Sequence, residues 1–396
     1  MKITGRVEKV VAGGYGLIRD REGVVFCRAV APGELIEVEV TGRGKGVRWA
    51  KLLELVEPSP FRISSACPYF PRCGGCDFHH IPYGEELSCK EKIVSEALRR
   101  ILRTEIPTDG FSEKFKELAP LEYRNTVTLH GGDGCLGYHQ KKTRRIVDVD
   151  DCPIARPVIR RELSGWSVRK LAQSPRRLTL RAGNIPGKDG EEPLLALAEY
   201  GDERTVEGRA LEMEVGGHCF RVSPGSFFQM NVAAAELVVA DLRAILPGAT
   251  RLLDLFTGVG LFAVSLAQNY EEVLGFEMLP EAVGDFRHNR RDIPSVGEIS
   301  WDAARGLGDF IRSSDVVLVD PPRGGLPPRL LAELERSRPL ALAYISCNPA
   351  TFARDCGRLL QAGYHLARPV RLYDMFPRTA HIEVMGLLLP PARDGG

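Results

Sequence analysis

The sequence predicts an α/β protein built on a doubly wound sheet, with two smaller domains ahead of it. Three observations predict this. From residue 251 onward, short apolar runs alternate with helical patterns, as strands and crossover helices do in a parallel sheet. Residues 1–57 hold only short strand-like runs broken by turn residues. Between these regions, three cysteines fall within residues 67–76, a density that marks a unit of its own. The expected domains are 1–57, 58–213 and 214–396, the last ending in a frayed tail at 390–396.

Bulk composition narrows the function classes. With 44% hydrophobic and 27% charged residues, the chain has the balance of a soluble globular protein. No apolar run reaches about 18 residues, and Met1-Lys-Ile-Thr-Gly-Arg lacks the apolar region of a secretion signal. A cytoplasmic monomer without membrane contact is expected. A net charge of +1 offers no global field, so a nucleic-acid partner would have to be met by local basic patches.

In the first domain, runs over 4–11, 16–19, 23–27 and 34–40 are separated by Gly13-Gly14, Asp20 and Pro32-Gly33. Short strands in this number and length suit an OB-like barrel. The stretch 41–51 carries Arg43, Lys45, Arg48 and Lys51 with Trp49 and no acid. It suits a nucleic-acid backbone and a stacked base, and equally a solvated hairpin face.

After the linker Glu57-Pro-Ser-Pro60 comes Cys67-Pro-Tyr-Phe-Pro-Arg-Cys73-Gly-Gly-Cys76. Thiols this close in a reducing compartment point to a metal or cluster site. A fourth ligand is needed, from Cys89, Cys135, Cys152 or the His79-His80 pair; Cys152, in a turn after a strand-like run, fits best. Zinc and an iron–sulfur cluster both accept four thiolates, and the spacing, unlike the paired C-x-x-C of a zinc ribbon, favours the cluster. Farther on, residues 85–104 form an amphipathic helical pattern, and 123–129 alternate as a strand. Residues 137–145 hold four cations and two rings without an acid, the strongest basic-aromatic patch of the chain, and equally readable as a solvated loop.

In the C-terminal half, 251–256 reads as a buried strand and Thr257-Gly-Val-Gly-Leu-Phe262 as a tight turn into a helix running to Gln268. Gly258 and Gly260 allow close approach to a ligand, and Glu277, at the end of the next strand, stands where an acid binds ribose hydroxyls. A nicotinamide cofactor and S-adenosylmethionine both fit this pattern. Asp254, inside the first strand, favours the second, because an acid there can bind its ammonium group; Asp302 can meet the adenine amino group. The strand 315–319 ends in Asp320-Pro-Pro-Arg323, a rigid polar platform beside the cofactor. The strand 340–345 ends in Ser346-Cys347-Asn348-Pro349, followed by a helix over 351–360. Cys347 thus sits at a strand mouth, where open α/β sheets bind ligands. Free cysteines are commonly buried and inert, while the polar neighbours and the helix N-terminus suit a nucleophile, so from this stretch alone the core thiol and the nucleophile stand even. His381 and Glu383, on one face of a closing strand to Leu389, are the candidate bases.

Together these motifs resemble the bacterial and archaeal RNA (uracil-C5)-methyltransferases, in particular the 23S rRNA branch with an N-terminal TRAM domain and a [4Fe–4S] cluster. Gly13-Gly-Tyr-Gly and Ala31-Pro-Gly-Glu34 match TRAM, and C-x5-C-x2-C with Cys152 matches the cluster ligands. Ser226-Phe-Phe-Gln229-Met-Asn231, Asp320-Pro-Pro-Arg323, Ser346-Cys-Asn-Pro349 and Met375-Phe-Pro-Arg-Thr-Ala-His-Ile-Glu383 match the remaining motifs in order. Thr257 and Leu261 depart from residues common in relatives. The resemblance implies a Rossmann-like class I methyltransferase domain with Cys347 as nucleophile and Glu383 as base. It implies S-adenosylmethionine contacts from Gln229, Asp254, Phe256, Gly258, Gly260, Leu261, Glu277, Asp302 and Asp320, and a cluster on Cys67, Cys73, Cys76 and Cys152. The expected reaction is methylation of a uridine C5 in RNA, 23S rRNA first. The alternatives are a tRNA uridine, a cytosine-C5 methyltransferase, which would usually carry Pro directly before the nucleophile, or a non-catalytic RNA-binding protein.

Overall fold

The computed structural model describes the whole chain except residues 45, 133, 169–174, 188–189, 209 and 393–396. The N-terminal part is a six-stranded sheet. Its strands lie in the order Lys2–Arg6, Leu35–Gly44, Val47–Glu57, Gly23–Arg28, Tyr15–Asp20, Lys9–Val11. The strand expected over 4–11 is two strands, broken at Val7 and Glu8, whose N–H groups donate to Glu34 and Leu17. Alternate residues Ile36, Val38, Val25 and Ile18 fill a small core of its own.

A second six-stranded sheet, wholly antiparallel, runs from Ile146–Asp148 at one edge to Glu203–Glu207 at the other. Ile159 and Leu163 of the helix Pro157–Val168 share a core with its Leu178 and Leu180.

The C-terminal sheet has nine strands and is mixed. Five parallel strands run Val296–Ser300, Glu272–Glu277, Arg251–Leu255, Val316–Val319, Ala341–Ser346. The strand Glu383–Leu389 joins antiparallel to Ala341–Ser346, followed by Val370–Tyr373 and Thr108–Phe111. The parallel strands are almost entirely buried apolar runs, as expected of strands covered on both faces. Strand order reverses between Arg251–Leu255 and Val316–Val319, and a crevice opens at their C-terminal ends.

Residues 83–116 fall inside the span expected for the central domain, yet they build into this C-terminal body. The helix Tyr83–Leu102 packs on the helix Pro349–Gln361, and Thr108–Phe111 forms the sheet edge. Among the described residues no helix is long and apolar enough to cross a membrane.

Candidate active site

Cys347 directly follows the strand Ala341–Ser346, as its position in the sequence implies. Asn348 caps the next helix, accepting from the Ala350 N–H at 3.1 Å, and Pro349 occupies its first turn. Across the sheet, Ser346 pairs with Val384, the last rung of that ladder. Cys347 and Glu383 therefore lie side by side at the open end of neighbouring antiparallel strands. The strand begins at Glu383, so His381 lies in the loop before it and does not share its face as expected.

Glu383 and Asp320 line one small pocket with Gln229, Phe262, Ile345, Tyr373 and Met375. Asp254 lies one strand away, buried at 1% exposure. Burial and then Glu383 and Asp320 push the Cys347 thiol up to about 11, with Arg323 opposing. Burial and Asp320 raise Glu383 well above the usual carboxylate range. Burial and Asp254 raise Asp320 to about 7, and burial raises Asp254 to about 6. Glu383 Oε2 and Asp254 Oδ1 are buried without hydrogen-bond partners among the described residues. The His381 ring takes Arg323 Nη2 at 3.1 Å from Nδ1. Burial and Arg323 push its pKa down to about 4, so it is neutral and a poor proton acceptor near pH 7.

The expected cofactor residues gather around the crevice, in different roles. Asp254 Oδ2 accepts from Thr257 Oγ1 at 2.6 Å and the Ala263 N–H at 3.0 Å, holding the glycine turn in place. Phe256 is left-handed, with φ of 70°. Gly258 faces open space, whereas a Cβ on Gly260 would meet Phe286 at 2.2 Å. Gly258 thus leaves room for a ligand, and Gly260 serves packing. Leu261 begins the helix Leu261–Leu266. Glu277 binds the N–H groups of Gly258, Met278 and Leu279, which fixes its carboxylate at the crevice rim. Asp302 caps a short helical turn through the Ala304 N–H. Gln229 follows the exposed Phe227, and its carbonyl is held by Asn125 Nδ2 at 2.9 Å.

The four cysteines meet away from this crevice. Cys67, Cys73, Cys76 and Cys152 line one pocket, together with Tyr69, Phe70, His79, Arg124 and Tyr138. Burial chiefly, and then the other thiols, raise the pKa values of Cys73 and Cys76. Cys89, one alternative ligand, is buried on the helix Tyr83–Leu102, and neither it nor Cys135 lines the pocket. Gly74 presses on a neighbouring strand, where a Cβ would lie 2.5 Å from the His139 carbonyl oxygen. Among the described residues no group of three or more His, Cys, Asp or Glu is drawn together as a site for a metal ion.

The expected RNA-facing residues divide. Arg48 is buried and paired with Asp20 and Glu22, which corrects its assignment as a phosphate contact. Trp49 packs against Tyr15 and Phe26, and Lys142 Nζ covers its ring at 3.4 Å, so that face is already taken. Lys141 binds Asp77 and the Gly13 carbonyl. Arg43, Arg144 and Arg145 are exposed. Lys45 lies outside the described residues.

Sequence reasoning missed the support beneath the site. Lys90, wholly buried, bridges Glu86 at 2.7 Å and Asp374 at 2.8 Å. Arg378, left-handed with φ of 69°, donates its N–H to Glu86 and its guanidinium to the Ile81 carbonyl. The helical spacing of Glu86 and Lys90 offers a pair, but nothing in the sequence announces Asp374 as the third partner.

Comparison with known proteins gives a consistent result. The family described as tRNA (Uracil-5-)-methyltransferase matches residues 306–391. An uncharacterized RNA methyltransferase of Aquifex aeolicus is 32% identical, with 98% of each chain covered. The tRNA (uracil(54)-C(5))-methyltransferase of Pyrococcus horikoshii is 30% identical over 97% of this chain and 99% of its own. The crystal structure of the Pyrococcus abyssi tRNA (uracil-54, C5)-methyltransferase with S-adenosyl-L-homocysteine superposes with a TM-score of 0.76. It is 26% identical and covers 98% of this chain and 100% of that one.

Proposed function

The chain belongs to the RNA (uracil-C5)-methyltransferase family, and on that premise we propose that Cys347 adds to C6 of a uridine while Glu383 later removes its C5 proton. The observation that carries this reading is the pairing of Ser346 with Val384, which sets the thiol and the carboxylate side by side at the crevice mouth.

Uracil C5 is a poor nucleophile. Cys347, having lost its proton to water, adds to C6 and makes C5 enolate-like. C5 then attacks the methyl group of S-adenosylmethionine. Loss of the C5 proton to Glu383 re-forms the double bond and expels the thiolate. The raised pKa of Glu383 makes it a stronger base than an ordinary carboxylate, and the low one of His381 makes that ring weaker. Gln229, Asp254, Phe256, Gly258, Gly260, Leu261, Glu277, Asp302 and Asp320 are proposed to hold the cofactor; the open space at Gly258 and the free oxygen of Asp254 support this.

The motif pattern points to 23S rRNA. Two relatives, from Pyrococcus horikoshii and Pyrococcus abyssi, are named tRNA (uracil(54)-C(5))-methyltransferase, so we propose tRNA as the first substrate to test and 23S rRNA as the second. Residues 1–57 are proposed to act as a TRAM-type RNA-binding domain with Arg43 as a phosphate contact, and Arg144 and Arg145, outside that domain, as further ones.

Cys67, Cys73, Cys76 and Cys152 are proposed to hold a [4Fe–4S] cluster. The four thiols line one pocket, Arg124 beside them offsets negative charge, and the spacing of the cysteines differs from the paired C-x-x-C of a zinc ribbon. When bound, such a cluster would tie residues 67–76 to Cys152.

Labelled S-adenosylmethionine with tRNA and rRNA, followed by nuclease digestion and mass spectrometry, tests the reading. Label in 5-methyluridine at one site is expected; label in 5-methylcytidine, or none, would overturn it.

A further inference from the structure

Asp254, Asp320 and Glu383 come from the ends of three different strands; Asp320 and Glu383 line one pocket, and Asp254, on the strand next to that of Asp320, acts on Asp320. Among the described residues, none of the three carboxylates has a Lys or Arg within ion-pair distance. The groups around them do not make up the deficit. Glu277 adds a further negative charge near Asp254. Arg323 is the cation that acts on Glu383 and Cys347, but it lies against the His381 ring. Tyr373 spends its hydroxyl on Asp241 at 2.9 Å, and Thr257 and Gln229 are neutral. Buried like charges this close are costly unless a cation joins them.

We propose that the site is built one positive charge short and that the sulfonium of S-adenosylmethionine supplies it, so that cofactor binding expels a proton from the Asp320–Glu383 pair and arms Glu383. The neutral thioether of S-adenosylhomocysteine does not. This rests on the roles given to Glu383 and the crevice under the proposed function. With Asp320 raised to about 7 and Glu383 raised well beyond its usual range, the pair holds a proton near neutral pH until a cation arrives.

The charges balance through the reaction. The sulfonium–methyl bond breaks with its electron pair left on sulfur, and the enolate pair of C5 forms the new carbon bond. The C5 proton then passes to Glu383, the C5–H pair re-forms the ring double bond, and the C6–S pair returns to Cys347. One positive charge vanishes from the cofactor and one negative charge from Glu383. The product faces a protonated pair that no longer attracts it, which favours its release. The same residues thereby discriminate substrate cofactor from product cofactor.

Titration calorimetry on the wild-type protein without RNA, near pH 7 in two buffers of different ionisation enthalpy, counts the protons. S-Adenosylmethionine, and sinefungin with its amine at the methyl position, are expected to release about one proton more than S-adenosylhomocysteine. Affinity for S-adenosylmethionine should rise by up to about tenfold per pH unit between about pH 6 and 8, with S-adenosylhomocysteine flat. Glu383→Gln and Asp320→Asn should each shrink the difference in proton count. Equal counts for the two cofactor forms would overturn the inference and leave the proposed reaction standing. Binding of neither form would remove both.

Discussion

The main-chain N–H of Asp77 donates to the carbonyl of Arg378 over 2.8 Å, joining the residue after Cys76 to the loop that leads into Glu383. The Asp77 carboxylate adds a bond from the Ala380 N–H at 3.1 Å and a contact with Lys141. The cysteine-rich segment thus braces the loop before Glu383, the proposed base. Asp77→Ala is expected to speed amide exchange over residues 378–383 and to lower kcat by up to about a hundredfold, with the KM for cofactor little changed. Exchange mass spectrometry on protein with its full cysteine set checks this; unchanged exchange would show that the loop stands without Asp77.

Stability should carry a pH signature of the crowded carboxylates. The folded pKa of Asp320 is raised from 3.8 to about 7. The folded state therefore holds its proton longer than the unfolded chain, and stability falls as pH rises through that window, levelling off above it. Asp320→Asn removes the effect. Relative to wild type, the cofactor-free variant should gain about 1–3 kcal/mol above pH 7 and little near pH 4. Urea denaturation of both proteins across this range measures the difference.

Glu383→Gln keeps the shape of the base without its chemistry. It should accumulate a denaturant-resistant protein–RNA complex that already carries the methyl group. Cys347→Ala should give neither complex nor product, and the double variant should match it. His381→Gln should still turn over. Denaturing gels with end-labelled RNA separate these outcomes.

Protein purified without oxygen should be brown and contain iron and sulfide, and Cys73→Ser or Cys76→Ser should lose both. Colorimetric iron and sulfide assays decide; stoichiometric zinc without sulfide would exclude the cluster.

Arg144→Gln and Arg145→Gln should each flatten the log–log salt dependence of RNA binding by about one unit. Arg48→Gln should leave that slope alone and instead lower the stability of the protein, because Asp20 and Glu22 would lose their partner.

Much of the crevice is legible in the sequence because its strands are buried on both faces. Arg251–Leu255 and Ala341–Ser346 read as apolar runs, and Cys347 is polar punctuation at the end of one. The edge strand Thr108–Phe111 is not legible, since Thr-Asp-Gly-Phe carries little strand preference and exists by pairing with Val370–Tyr373. Arg48 reads as one cation in a basic run because Asp20 and Glu22 lie on earlier chain that only folding brings alongside. The Lys90 network escapes for the same reason: Asp374 reaches it from the far end of the chain.

The rung between Ser346 and Val384 also bears on how this chain can drift over generations. Loops around both strands can lengthen or shorten without moving the chemistry. A single residue gained or lost within 341–347 or 383–389 cannot, because one step along a strand turns each side chain to the opposite face. Length changes among descendants should therefore be absent from these two stretches, or come as paired changes in both.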